Sequence, residues 1–368
     1  MKKLFVTAAA IALAGLTAGA QDKFLPKHLA VLRAGDGVID LHLKQAPAFI
    51  DEFTPGQLNA APLMSLAIPT NGSDAIFFNG HAATEGMLAR SADGRLLTFA
   101  GYGGVALLQS NGTPSLLNID RAICTVDMAG KVHTMIYGRK GDKKMNPRGV
   151  VTDGAGHFWG CGNAFGTVYY DPASMTEPLE FRDIPNSRAI KIIGGTLYTT
   201  LNQADGFEGD TTAGIFNFVD GTGNAAPLPQ SADAKLSQVV PAESPYNKIA
   251  GFDINPAGTI AYTADMVAGI QKYVKANGAW KFAYNFSIPQ NIPAAKNHET
   301  GCFALAVDFS GPAPIIYATT TEGYHGCVNS NRVVQIADTN ATATVTTIAQ
   351  AGSADVAYRG IDFTPDKP

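Results

Sequence analysis

One unit of sequence recurs along most of this chain, and it restricts the fold more than any other feature. Its most regular copy is Glu85 to Gly104, EGMLARSADGRLLTFAGYGG. Apolar and polar residues alternate, the chain turns at Ala92-Asp93-Gly94, alternation resumes, and a Gly-rich break follows. Two alternating runs around a tight Asp-Gly turn predict a β-hairpin. Weaker copies are RGVVTDGAGHFWGCG (148–162), RAIKIIGGTLYTTL (188–201), AGFDINPAGTIAYTAD (250–265) and CFALAVDFSGPAPIIYATT (302–320). A truncated copy, RGIDFTPDKP (359–368), ends the sequence.

Most copies are followed by two further strand-like runs, such as GTVYYDPA then PLEFRDIP, or RVVQIADTN then ATVTTIAQ. Four strands per repeat, with starts near 86, 148, 188, 250, 301 and 359, is the pattern of a β-propeller blade. The two ends complement one another. The last copy supplies one strand, and the segments HLAVLRAG, AFIDEFTPG and PLMSLAIPT near the start supply three without an opening hairpin. Joined in one blade they close the ring and leave no exposed edge. The expected fold is therefore an all-β, six-bladed β-propeller closed by N- and C-terminal strands in one blade. Seven blades is the alternative, because Gly103–Tyr137 is long and irregular. A two-domain β-sandwich would explain neither the recurrence nor the matching ends.

Residues 1–20 read as a secretory signal peptide: Lys2 and Lys3, a short apolar run, and Ala-Gly-Ala before Gln21. Residues 21–368 then form a single propeller domain in a secreted or periplasmic protein. No other apolar run is long enough to span a bilayer, so an integral membrane protein is not expected. Cleavage would move the formal charge from −4 to −6, since it removes two lysines and no acid. No basic stripe remains to suggest nucleic acid. A monomer is expected. Four cysteines in an exported chain suggest two disulfides, for which the sequence leaves three pairings open. Cys302 and Cys327 fall in one blade on one rim and are expected to pair, leaving Cys124 and Cys161 on adjacent blades as the second bond.

Strand parity locates a candidate functional face. In a four-stranded antiparallel blade, the start of the first strand, the end of the second and the start of the third share one rim. On that rim fall His81, Glu85, Arg148, Arg188, His298, Glu299 and Arg359 before first strands, and Tyr102, Asn163, Asn202, Tyr324 and His325 after second strands. The opposite rim carries ordinary turn formers. Arg148, Arg188 and Arg359 repeat in phase, and guanidinium groups around one channel mouth would suit a carboxylate. Pairing with Glu85, Glu299 and Asp265 is the structural alternative. His81, His298, His325, Tyr102 and Tyr324 offer a base and an acid, the set that a uronate lyase needs once its carboxylate is neutralised. Glu85, Asp265 and neighbouring Asn residues could instead hold calcium.

The segments AFIDEFTPG (48–56), HAATEGMLARSADGRLLTFAGY (81–102) and AGIQKY (268–273) resemble a family of secreted bacterial β-propeller proteins, mostly of unassigned activity. The resemblance implies the fold and export, and carries over no catalytic residue. The expected function is a secreted propeller acting on or binding an acidic poly- or oligosaccharide, in the manner of a polysaccharide lyase. A non-catalytic glycan- or protein-binding propeller is the first alternative, and a metal-dependent, lactonase-like hydrolase the second.

Overall fold

The computed structural model describes the chain apart from residues 1–22, 42–44, 83, 105–118, 139–145, 164–165, 182–185, 203–212, 244–245, 247, 290–300, 323–330 and 354. The expected signal peptide, His298, Glu299, Tyr324, His325 and Cys327 lie outside the described residues. Every helix or strand among the described residues is a β-strand. None of them forms a helix long and apolar enough to cross a membrane.

Near the N-terminal end, β1 (Leu29–Ala34), β2 (Gln45–Phe53) and β3 (Met64–Ala67) pair in series and antiparallel. On its other side β1 pairs with the last strand, β25 (Ala357–Phe363), through Leu29↔Phe363 and Ala34↔Ala357. The two ends of the chain thus meet in one ladder. A second ladder follows: β5 (Ala89–Arg90), β6 (Leu96–Gly103), β7 (Asp120–Asp127) and β8 (Val132–Gly138). Its β5–β6 turn is the one the alternation predicts. Gly94 has φ +80° and donates to the Ser91 carbonyl at 2.9 Å, which is why glycine sits there.

Strand β4 (Ile76–Asn79) changes the expected count of separate blades. It pairs with both β2 and β6, and so fuses the two ladders into one nine-stranded sheet. The remaining strands form four separate four-stranded sheets. The first is β9 (Pro147–Thr152), β10 (Phe158–Gly162), β11 (Gly166–Tyr170) and β12 (Leu179–Glu180). The second is β13 (Ser187–Ile193), β14 (Thr196–Leu201), β15 (Gly214–Val219) and β16 (Lys235–Pro241). The third is β17 (Ile249–Ile254), β18 (Ile260–Asp265), β19 (Gly269–Ala276) and β20 (Ala279–Phe286). The fourth is β21 (Cys302–Asp308), β22 (Ile315–Thr320), β23 (Arg332–Ala337) and β24 (Val345–Gln350). In place of six or seven independent blades, hydrogen bonding gives four such sheets and one fused sheet.

The arrangement is propeller-like. The first strand of each ladder neighbours the next in the order β5, β9, β13, β17, β21, β25, and β25 returns to β5. A repeated hydroxyl bond ties second strands to the neighbouring first strand. Thr98 donates to the Val150 carbonyl at 2.7 Å, Thr200 to that of Ala250 at 2.6 Å, and Thr319 to that of Arg359 at 2.5 Å. Apolar side chains fill the space between ladders; one cluster runs from Leu29 and Phe53 through Phe252 to Tyr317 and Ile361. Full burial of each such large side chain contributes roughly 2 kcal/mol.

The expected second disulfide is absent. Cys124 and Cys161 are free, buried thiols embedded in different apolar clusters, the first beside Leu97 and Phe99, the second beside Trp159 and Ile190. The Cys161 thiol donates to the Arg188 carbonyl at 3.4 Å. Cys302 is likewise a buried free thiol.

Candidate functional site

A bulge at the start of the first strand sets the direction of the rim arginines. Register shifts interrupt the pairing on β9 beside Arg148, on β13 between Ser187 and Ile190, and on β25 between Tyr358 and Ile361. A bulge breaks the in–out alternation and re-aims the side chain it carries. Arg148 is thereby turned onto the next ladder, donating to the Asn186 side-chain oxygen and, at 3.0 Å, to the Ser187 carbonyl. Arg359 likewise leaves the terminal strand for the segment ahead of β5. It donates to the carbonyls of Gly80 at 3.1 Å, Asn79 at 3.3 Å and Glu85 at 3.4 Å, and stacks over Phe78. Arg188 is buried as well. The arginines therefore do not open onto a channel mouth as an anion trap. Arg148 and Arg359 link ladders through these acceptors, and Arg359 also acts on the neighbouring Glu85 carboxyl.

Glu85 and Tyr102 do meet, as their shared rim position predicts. The chain folds back at Asn79–Ala82, where Ala82 N–H donates to the Asn79 carbonyl at 3.1 Å. Glu85 Oε2 can then accept from the Asn79 N–H at 3.0 Å, while Oε1 accepts from the Tyr102 hydroxyl at 2.8 Å. The Tyr102 hydroxyl also lies 3.4 Å from Asn146 Oδ1. Arg121 of β7 stacks on the Tyr102 ring, 4.7 Å from its centroid, and anchors itself on the Ile119 carbonyl at 2.6 Å. Phe77 stacks on the other side of this group.

Glu85 and Tyr102 are both fully buried. Burial pushes the Glu85 carboxyl from its ordinary 4.5 up to about 7, against the opposing pull of Arg359, Tyr102, the Asn79 amide and Arg121. Burial, followed by the Glu85 charge, holds the Tyr102 phenol well above its usual range. A phenol so shielded is a poor proton donor and a poorer base. When Glu85 is protonated, the hydrogen bonds can run as a relay from Glu85 to Tyr102 to Asn146. The geometry is suited to holding the segment before β5 in place and gives a substrate no access to either oxygen.

The other expected rim residues are used similarly. His81 occupies the exposed corner of the Asn79–Ala82 turn, its backbone N–H on Asn79 Oδ1 at 3.2 Å. Asn202 is buried at the end of β14, and the Asn163 N–H donates to the Asn146 carbonyl at 3.1 Å. Asp265 caps a turn, accepting from the backbone N–H groups of Lys248, Val267 and Ala268 at 2.8–2.9 Å. Glu85 and Asp265 thus each serve donors of their own ladder. Among the described residues, no three His, Cys, Asp or Glu side chains are grouped to hold a metal.

Rim position predicts Glu322 on this face, after a second strand, but its pairing with Arg332 went unread in the sequence. Arg332 meets Glu322 in a buried ion pair, and the guanidinium also donates to the Pro289 carbonyl at 2.6 Å. Thr320 bonds the same carboxylate at 2.8 Å. A cue was available: Thr320 ends a second strand, Glu322 follows it, and Arg332 opens the third.

No protein-family model and no curated protein matches the sequence. Solved structures do share the fold. TolB from Acinetobacter baumannii superposes with a TM-score of 0.50 at 9% identity, over 92% of this chain and 67% of that one. A chain of a nidogen–laminin complex superposes with a TM-score of 0.54 at 11% identity, over 93% of this chain and 99% of that one. At such identities the likeness is one of fold alone.

Proposed function

We propose that this chain is an exported, non-catalytic propeller that recognises a protein partner through the loops of the rim carrying His81. The observation that carries the reading is the burial of Glu85 and Tyr102 against each other, with Arg359 and Arg148 buried and bonded to neighbouring ladders and loop bases. A lyase needs a solvent-accessible base and a guanidinium at the same place. Among the described residues, the guanidinium groups of Arg148 and Arg359 and the Glu85–Tyr102 pair hold the bases of the loops, away from exposed His81, so recognition falls to the loops themselves. A net charge of −6 after cleavage also disfavours an acidic polysaccharide as ligand. In this reading the fused sheet counts as two ladders sharing β4, giving six ladders around the ring.

The test is a photo-crosslinking amino acid placed at His81, and separately at Ala257 on the opposite rim, in the exporting cell. Adducts of one defined mass from position 81 and none from 257 are expected, together with no ultraviolet-absorbing product from a panel of uronate polysaccharides. Turnover of any of those polysaccharides sinks the proposal.

A further inference from the structure

Lys191 stands out as a lysine inside an otherwise apolar first strand, RAIKII. It occupies the fourth position from the start of its repeat copy. The same position holds Asp253 in AGFD and Asp362 in RGID. These three residues lie on β13, β17 and β25 and meet in the structure. Lys191 Nζ is 3.4 Å from Asp362 Oδ2, 3.6 Å from Asp253 Oδ2, and donates to the Leu305 carbonyl of β21 at 3.3 Å. In the cyclic order of first strands, β13 and β25 are separated by β17 and β21, so the Lys191–Asp362 contact crosses the interior of the ring.

The remaining valences are also filled. Asp253 accepts from the backbone N–H groups of Ile254 and Val307, and Asp362 from those of Phe363 and Arg90. Five first strands, β5, β13, β17, β21 and β25, therefore share one network. The ammonium donates to the Leu305 carbonyl and forms ion pairs with two carboxylates on two other strands. The side chains are only 11–15% exposed. Burial alone would lower the Lys191 pKa; Asp253 and Asp362 outweigh it, and the net direction is up.

We propose that the Lys191 ammonium is the ring's resident cation: it fills an oxygen-lined position between Asp253, Asp362 and Leu305 that a hard metal ion would otherwise suit. Two carboxylates and a carbonyl are the donor types that calcium prefers. With both carboxylates ionised, the ammonium leaves one net negative charge there; burial and Asp362 raise the Asp253 pKa against the pull of Lys191, whose charge a hard cation would take over once the lysine is gone. The lysine thus ties the ring together across its middle and keeps metal out of it.

Calcium-dependent thermal unfolding tests the proposal. Millimolar calcium should leave the wild-type midpoint unchanged and raise that of Lys191→Ala by roughly 3 °C or more. Adding Asp253→Asn to Lys191→Ala should abolish the rise. A wild-type response to calcium that Asp253→Asn removes overturns the proposal, as does a folded Lys191→Ala that ignores calcium. Should Lys191→Ala not fold, NMR on wild-type protein with isotope-labelled lysine decides. One ammonium signal protected from exchange, and lost in Lys191→Arg, is expected; free exchange of every lysine ammonium overturns the assignment.

Discussion

Replacing Glu85 by Gln separates a structural carboxyl from a catalytic one through the pH dependence of stability. The folded-state pKa of about 7 lies above the ordinary 4.5, so the folded protein holds this proton more tightly than the unfolded chain does. The stabilisation is therefore complete below about pH 4.5 and is lost as pH rises through 7. At about 1.4 kcal/mol per pKa unit, the loss on going from acid to above neutrality is about 3 kcal/mol. The Gln variant cannot titrate. Its oxygen accepts from the Asn79 N–H and its amide N–H donates to the Tyr102 oxygen, the bond the protonated carboxyl makes there, so at acid pH its cost is small. Urea unfolding of wild type and Glu85→Gln at pH 5 and pH 8 reads both effects. The variant should lie within about 1 kcal/mol of wild type at pH 5 and should exceed it at pH 8. Parallel pH profiles for the two proteins would refute the burial of this carboxyl as described.

Three further outcomes follow from the same contacts. Thr200→Val strips the Ala250 carbonyl of its hydroxyl donor and the Ala189 N–H of its acceptor, and should cost about 2 kcal/mol in chemical denaturation. Arg359→Met removes the donors to three carbonyls between the terminal strand and the segment before β5, and should cost about 3 kcal/mol; by contrast Asp366→Asn, which breaks a largely solvated pair with Arg90, should cost no more than about 0.5 kcal/mol. Burial pushes the Cys161 thiol up to about 12 and raises those of Cys124 and Cys302, so none of the three should react with Ellman's reagent before unfolding, and Cys124–Cys161 should be missing from a non-reduced peptide map.

What could be read from the sequence was whatever depends on position along a strand. Alternation and the Asp93-Gly94 turn gave the β5–β6 hairpin, and the solitary strand at 358–363 pointed to its partner near the start. The same parity brought Glu85 and Tyr102 to one rim. Strand β4 escaped notice because IFFN belongs to no repeat copy, and pairing with two strands at once is a tertiary event that local propensity does not encode. Side-chain direction was also out of reach. A bulge lies beside Arg148, Arg188 and Arg359, Arg148 and Arg359 reach neighbouring segments from it, and alternation fails where a bulge begins. The Lys191–Asp253–Asp362 register was present in the aligned copies, yet its charge complementarity appears only when the strands stand around one interior.

The most direct measurement is turnover by wild type and Tyr102→Phe on uronate polysaccharides, followed by ultraviolet absorbance, with crosslinking from position 81 recorded in parallel. If the rim acids, phenol and guanidinium groups are scaffold, neither protein generates an unsaturated product. Tyr102→Phe then unfolds more easily, and its adducts match those of wild type. Product formed by wild type and abolished in folded Tyr102→Phe would contradict that role.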